Sequence, residues 1–137
     1  MIEEQPTFIV DAPTLVTKVL ELRHAGWRLV QIGVTKIGET IELNYSFDRA
    51  LKFQNYRLTA PAADLRIPSI SAVYWCAFLY ENEIHDLYGI GFDGLALDYK
   101  GNFYRTAEKF AFAKSPAPAV VPAKPPPPAP AQPAATT

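Results

Sequence analysis

The stretch Thr40-Ile-Glu-Leu-Asn-Tyr-Ser-Phe47 decides the fold, because its side chains alternate strictly between apolar and polar. Ile41, Leu43, Tyr45 and Phe47 fall on one face of an extended chain, and Glu42, Asn44 and Ser46 on the other. A period of two with β-branched and aromatic residues is the signature of a strand with one buried and one wet face. The neighbours extend the pattern. Trp27 to Thr35 and Phe53 to Thr59 are rich in the same residue types, with a tight turn at Gly38-Glu39 and a looser one at Asp48-Arg49-Ala50. Three consecutive strands with short connections predict an antiparallel meander.

Working outward, Thr14 to Ala25 carries Leu15, Val16, Val19, Leu20 and Leu22 at helical spacing. Asp11 or Thr14 supplies the N-cap, and Gly26 stands where a glycine ends a helix. Beyond the meander, Ala60 to Pro68 reads as a loop, and Ser69 or Ser71 caps a second helix from Ile70 to about Leu87, stopped by Gly89. The stretch from Ile90 to Phe112 reads as irregular, with room for one short strand or helix near Tyr104 to Phe112. These elements predict an α+β two-layer sandwich, an antiparallel sheet of three to four strands with helices packed on one face. The folded domain spans residues 1–114. From Ser115 to Thr137, nine of 23 residues are Pro and seven are Ala, with Lys124 the only charge. Such a composition favours extended chain over a packed core, and predicts a disordered tail over residues 115–137.

Totals exclude several function classes. Lys plus Arg number 13 against 14 Asp plus Glu, so no basic surface points to nucleic acid. The longest apolar run falls well short of the roughly 20 residues that span a bilayer. The N-terminus lacks the basic and apolar regions of a secretory signal, so the reading places the chain in the cytoplasm. The single Cys76 forms no internal disulfide and cannot build a metal site alone.

The second helix is unusual. Ile70, Val73, Tyr74, Ala77, Ile84 and Tyr88 form one apolar stripe, while Trp75, Cys76 and Leu79 make the opposite side apolar too. A helix apolar all round is buried on more than one side. One side faces the sheet, and the other needs the C-terminal segment or a partner protein. Glu81 falls within the stripe, so it must meet a cation, meet hydrogen-bond donors, or keep its proton. Arg66, Arg105 and a partner's arginine are the candidate cations. Glu83 and Asp86 share the side of Trp75 and Leu79, which would suit a basic partner.

Gly89-Ile-Gly-Phe-Asp-Gly94 matches the glycine pattern of dinucleotide sites. That pattern works only between a strand and a helix, where the helix N-terminus faces the pyrophosphate. Here a helix comes before it. The expectation is that Gly89 caps that helix and that Gly91 and Gly94 shape a turn, a nucleotide-binding oxidoreductase being the alternative from another class. His85 lies one turn beyond Glu81, but His24 and Cys76 do not complete a ligand set, so it reads as a hydrogen-bonded structural or interface histidine. A triad of Asp86, His85 and a serine lacks a nucleophile elbow, and Glu81 and Glu83 point to opposite sides. No catalytic arrangement is visible.

Ile67-Pro68-Ser69-Ile70, followed by Glu81, Glu83, Asp86, Leu87, Tyr88, Gly89, Ile90, Phe92 and Gly94, resembles the family of the 30-kDa subunit of respiratory NADH dehydrogenase. Its short counterparts in energy-converting membrane-bound nickel–iron hydrogenases share the pattern. The resemblance extends over most of residues 1–103. Asn82 stands where the family usually has an arginine, implying a weaker interface ion pair. After Gly94, Leu95-Ala96-Leu97-Asp98 replaces the usual His-Pro and arginine-rich stretch, and the Pro/Ala tail replaces the long extension of respiratory members. Both departures favour the short hydrogenase-type members.

The resemblance implies a non-catalytic subunit that holds no cofactor, its partners carrying the nickel–iron and iron–sulfur centres. It would pack against the large catalytic subunit beside the iron–sulfur small subunit, peripheral to the cytoplasmic side of the membrane. The expected interface and motif residues are Trp75, Glu81, Glu83, His85, Asp86, Tyr88, Gly89, Phe92 and Gly94. The equivalent subunit of a respiratory NADH:quinone oxidoreductase is the alternative.

Overall fold

The computed structural model describes residues 4–113; the expected Pro/Ala tail lies outside the described residues. Eight elements follow in order: β1 (Thr7–Ile9), α1 (Ala12–His24), β2 (Arg28–Ile37), β3 (Thr40–Arg49), β4 (Lys52–Pro61), β5 (Arg66–Pro68), α2 (Ala77–Tyr88) and β6 (Gly91–Asp93). The main sheet has the order β1-β4-β3-β2, and β5 pairs with β6 in a second sheet.

The meander β2–β3–β4 is antiparallel as its alternation requires, with Tyr45 opposite Ile32 on one side and Tyr56 on the other. Ile41, Leu43, Tyr45 and Phe47 are buried with Leu58 and Ile32 in one continuous core that includes Leu15, Val19 and Leu22 of α1 and Ala77 and Ile84 of α2. Both helices therefore cover the same face. On the opposite face Asn44 accepts from Asn55 and Arg57, both at 2.9 Å, and Ser46 donates to Asn55 at 3.1 Å. This polar network leaves that layer without helices and makes the architecture a two-layer α+β sandwich.

Three features of the main sheet depart from the sequence reading. The sheet is mixed, because β1 joins β4 in parallel, Thr7 beside Asn55 and Ile9 beside Arg57. Three residues whose side chains are all exposed carry no period, so only the backbone pairing reveals this strand. A bulge between Leu29 and Gln31 inserts a residue into β2, so Leu29 and Ile32 both reach the core despite their odd spacing. The β3–β4 connection is tighter than its sequence suggests. Ala50 and Leu51 both take positive φ, 48° and 65°, between the paired Arg49 and Lys52.

α1 begins two residues earlier than its apolar period, with Asp11 as N-cap, Pro13 in its first turn and the Thr14 hydroxyl donating to the Asp11 carboxylate. It ends as a glycine there dictates. Gly26 adopts φ 82°, its N–H donates to the Arg23 carbonyl at 3.1 Å, and the Trp27 N–H donates to the Leu22 carbonyl at 3.0 Å.

α2 starts at Ala77 and not at Ile70. Residues 71–76 form successive turns, opened by the Val73 and Tyr74 N–H groups donating to the Ile70 carbonyl. The Ile70 N–H is already taken by the Glu81 carboxylate, and the Ser71 N–H by the Ser69 hydroxyl oxygen. Side-chain acceptors thus satisfy the backbone donors that a helix start would leave free, and the helix begins about two turns further on.

Candidate functional site

The two halves of the sequence motif meet at the small parallel sheet. Ile67 of β5 lies beside Phe92 of β6, both buried, and the Ser69 N–H donates to the Asp93 carbonyl at 2.8 Å. This pairing brings the Ile-Pro-Ser turn against α2 at Glu81, which is fully buried. The Ser69 hydroxyl donates to the Glu81 carboxylate at 2.5 Å, and the Ile70 N–H at 2.8 Å. Of the three options open to a carboxylate in an apolar stripe, hydrogen-bond donors are present, and burial also favours keeping the proton. Of this chain's candidate cations, Arg66 pairs with Asp93 on the surface and Arg105 is exposed.

When Glu81 is ionised, donor roles in this cluster run in one direction. The Ala96 N–H donates to Ser71 Oγ at 2.9 Å. The Ser71 hydroxyl lies 2.7 Å from Ser69 Oγ, whose own proton goes to Glu81, so Ser71 donates to Ser69. A relay therefore runs from the loop after Gly94 through two serines to the buried carboxylate. Burial pushes the Glu81 pKa up to about 7, against the lowering effect of the Ser69 and Ile70 donors. Nearby, the buried Tyr45 hydroxyl has no partner among the described residues. Burial, and secondarily the Glu81 charge, hold this phenol well above its ordinary pKa.

The three glycines have separate duties. Gly89 ends α2 at φ 76°, its N–H donating to the His85 carbonyl at 2.9 Å, and the Phe110 ring packs on its Cα where a methyl group would sit 3.1 Å away. Gly91 lies in β6 beneath the Arg66 side chain, which a Cβ would meet at 2.7 Å. Gly94 turns the chain at φ 82°. Gly89 thus caps the helix as its sequence predicts, whereas Gly91 is a strand residue and not a turn. The glycines follow a helix C-terminus, whose outward carbonyls disfavour phosphate, and no helix follows them up to residue 113. The open cleft beside Gly91, lined by Arg66, His85 and Lys100, measures about 240 Å³, below the usual range for small-molecule sites.

Asn82, expected to mark a weakened interface ion pair, is fully buried. Its amide nitrogen donates to the carbonyls of Phe78 (2.7 Å) and Leu97 (2.8 Å), and its oxygen accepts from the Tyr99 N–H at 3.0 Å. It pins residues 97–99 onto α2. A polar residue adjacent to an unpaired glutamate inside an otherwise apolar helix was the signal available for it. Ser69, Ser71 and Tyr104 are the other polar partners that sequence reasoning did not assign.

The remaining motif residues separate into two surfaces. Trp75, 62% exposed, stacks on Phe78 at a ring distance of 5.1 Å, and Leu79 is 44% exposed; with Cys76 they form an uncovered apolar face. One turn on, residues 99–113 lie across the second half of α2. Tyr104 donates its N–H to Asp86 Oδ2 at 2.7 Å and its hydroxyl to Glu83 at 3.1 Å. Phe110 packs edge-on against His85 and Phe112 against Tyr88, and the Phe112 N–H donates to the Leu87 carbonyl at 3.0 Å. His85 donates its Nδ1–H to the Ile90 carbonyl at 2.9 Å. Asp86 is only 4% exposed, and its Oδ1 has no partner among the described residues. Among those residues no three His, Cys, Asp or Glu side chains gather as a metal site. No helix among them is long and apolar enough to cross a membrane.

The fold and the motif together define a class: a two-layer α+β domain in which an Ile-Pro-Ser turn clamps a buried glutamate on the helix that precedes a glycine-rich strand. The family of the respiratory-chain NADH dehydrogenase 30 Kd subunit matches residues 9–100, and the chain belongs to it. Among solved structures, it is similar to a chain of the membrane-bound sulfane sulfur reductase, an archaeal respiratory membrane complex. The TM-score is 0.64 at 21% identity, covering 73% of this chain and 64% of that one. It is also similar to the trypsin-resistant fragment (1–134) of Nqo5, with TM-score 0.58 at 19% identity over 66% of this chain and 80% of that one. The chain thus spans less than two thirds of the reductase subunit. At these identities both likenesses concern the fold. No curated protein sequence is significantly similar to the chain.

Proposed function

We propose that this chain is a non-catalytic, hydrophilic subunit of a membrane-associated redox complex of the hydrogenase or NADH dehydrogenase type. It docks on the large catalytic subunit, beside the iron–sulfur small subunit, and stabilises the peripheral arm. The nickel–iron and iron–sulfur centres belong to those partners, and the chain reaches the cytoplasmic side of the membrane through them.

The observation that carries this reading is the face of Trp75, Cys76 and Leu79, at the start of α2, which no other part of residues 4–113 covers although it lies within the stretch matched by the family. An exposed tryptophan packed against a second aromatic is the kind of anchor that dominates protein interfaces. Glu83, half-buried one turn beyond Leu79, borders this face and accepts the Tyr104 hydroxyl at 3.1 Å.

The test is recovery of the chain with its neighbours from gently solubilised membranes. We expect a large and a small redox subunit to accompany it, and Trp75→Ala to reduce their recovery, since such anchors typically contribute about 2 kcal/mol or more. Isolation of the wild-type chain alone would sink the proposal. Likeness to the Nqo5 fragment supports a second reading, the same role in a respiratory NADH:quinone oxidoreductase. The identity of the accompanying subunits separates the two.

A further inference from the structure

We propose that residues 101–113 are an exchangeable strap over a second docking surface, and that this surface takes an extended basic, aromatic segment of a partner chain in the strap's place. The inference rests on the subunit reading above and adds to it a site, a partner chemistry and a competition.

The surface is the second half of α2. It presents two carboxylates, Glu83 and Asp86, flanked by the rings of His85 and Tyr88. The strap meets it as a peptide ligand would. It lays one backbone N–H on Asp86, one hydroxyl on Glu83, one ring on His85 and one on Tyr88. Its far end is held by the Phe112 N–H on the Leu87 carbonyl and by Lys36 of β2 on the Ala113 carbonyl.

Three observations mark this occupant as exchangeable. No residue of 101–113 is buried, and the segment contains no helix or strand, so little apolar area holds it down. Lys100 and Phe110 adopt φ of 52° and 53°, left-handed backbone that non-glycine side chains rarely take. The pairing is also incomplete. Asp86 is nearly enclosed by the strap yet receives a single hydrogen bond, and its Oδ1 has no partner among the described residues. A guanidinium in place of the Tyr104 N–H would pair both oxygens, the bidentate geometry that carboxylates favour. Lys109, the strap's own cation nearby, donates instead to the Gly101 carbonyl at 3.2 Å. The family match supplies a boundary as well. It ends at residue 100, so the strap lies beyond the shared stretch while the surface beneath it lies within.

A closed strap lowers the apparent affinity of any competitor by the fraction of molecules in which it is open. The full chain is therefore titrated with a synthetic ten-residue peptide of alternating arginine and tyrosine, and followed by backbone amide NMR. A peptide with glutamate in place of arginine serves as control. We expect saturable binding of the arginine peptide alone, with the amides of 101–113 moving to random-coil positions while those of Ile70 and Ala96 stay in place. Tyr104→Pro, which removes the N–H on Asp86, should tighten binding about tenfold. Asp86→Asn should weaken it about tenfold, and Glu83→Gln, at a half-buried position, should weaken it in the same direction without touching the core. Binding that leaves the strap amides unmoved overturns the proposal, as does absence of binding to both the wild type and Tyr104→Pro. Because the probe is a free peptide, either result is independent of which subunits accompany the chain from membranes.

Discussion

Two carboxylates five residues apart on α2 are treated in opposite ways. Glu81 is enclosed by groups that match it: a serine hydroxyl, a backbone N–H, and behind them a relay of oriented donors reaching Ala96. Asp86 is enclosed almost as completely but receives one N–H from a segment without regular structure. Buried acids generally cost stability unless hydrogen-bonded, so the first is integral to the fold and the second is an unfinished arrangement. The difference separates what builds this domain from what it offers to others.

The largest expected effect comes from breaking the finished end. Glu81→Ala strands the Ser69 hydroxyl and the Ile70 N–H and opens a cavity beneath Ile67 and Ile70. Its expected cost is about 4 kcal/mol in denaturant unfolding. A loss below about 1 kcal/mol would show that the clamp is ornamental and the contrast between the two acids misplaced.

Acidity probes the same end without a mutation. Burial raises the Glu81 pKa in the folded state to about 7 from 4.5, so between those values the native protein binds the proton that the unfolded chain has released. Stability from this group is fully present below pH 4.5 and declines as pH rises through 7. The drop amounts to roughly 3 kcal/mol, from about 1.4 kcal/mol per pKa unit. Subtracting the pH profile of Glu81→Gln from that of the wild type isolates it. A difference that is flat across pH 4.5–8, or that slopes upward, would contradict the assignment.

The unfinished end should respond least. Asp86→Ala removes one hydrogen bond and an unpartnered oxygen together, and unfolding should shift by about 1 kcal/mol or less. Loss of several kcal/mol would mean that the strap is as integral as the serine clamp.

Much of this is legible in the residue pattern. Strict alternation in 40–47 exposes the core face of the sheet, Gly26 and Gly89 mark both helix ends, and the misfit of Glu81 in an apolar stripe flags the centre of the motif. The rest is hidden for identifiable reasons. β1 has too few residues to show a period, and the β2 bulge breaks the one that exists. The turns over 71–76 look helical in composition because one competing acceptor, Glu81, reaches Ile70 from eleven residues away. Asn82 shows the same limit. An amide between two acids suggests a surface, whereas its three hydrogen bonds place it inside. Asp86 shows it in reverse, because the strap that covers it comes from irregular sequence with no pattern to read.

The parallel pairing of β1 with β4 bears on how the chain comes into being. Residues 7–9 are separated along the chain from the strand they join by α1, β2 and β3. Local hairpins form quickly, whereas a pairing between distant segments must wait for the loop between them to close. Sequence separation therefore predicts that β1 joins the main sheet after β2, β3 and β4 have paired. Phe8 and Ile9 remain exposed even after it docks, so little apolar burial fastens this strand, and its place in the sheet rests on the backbone ladder to β4.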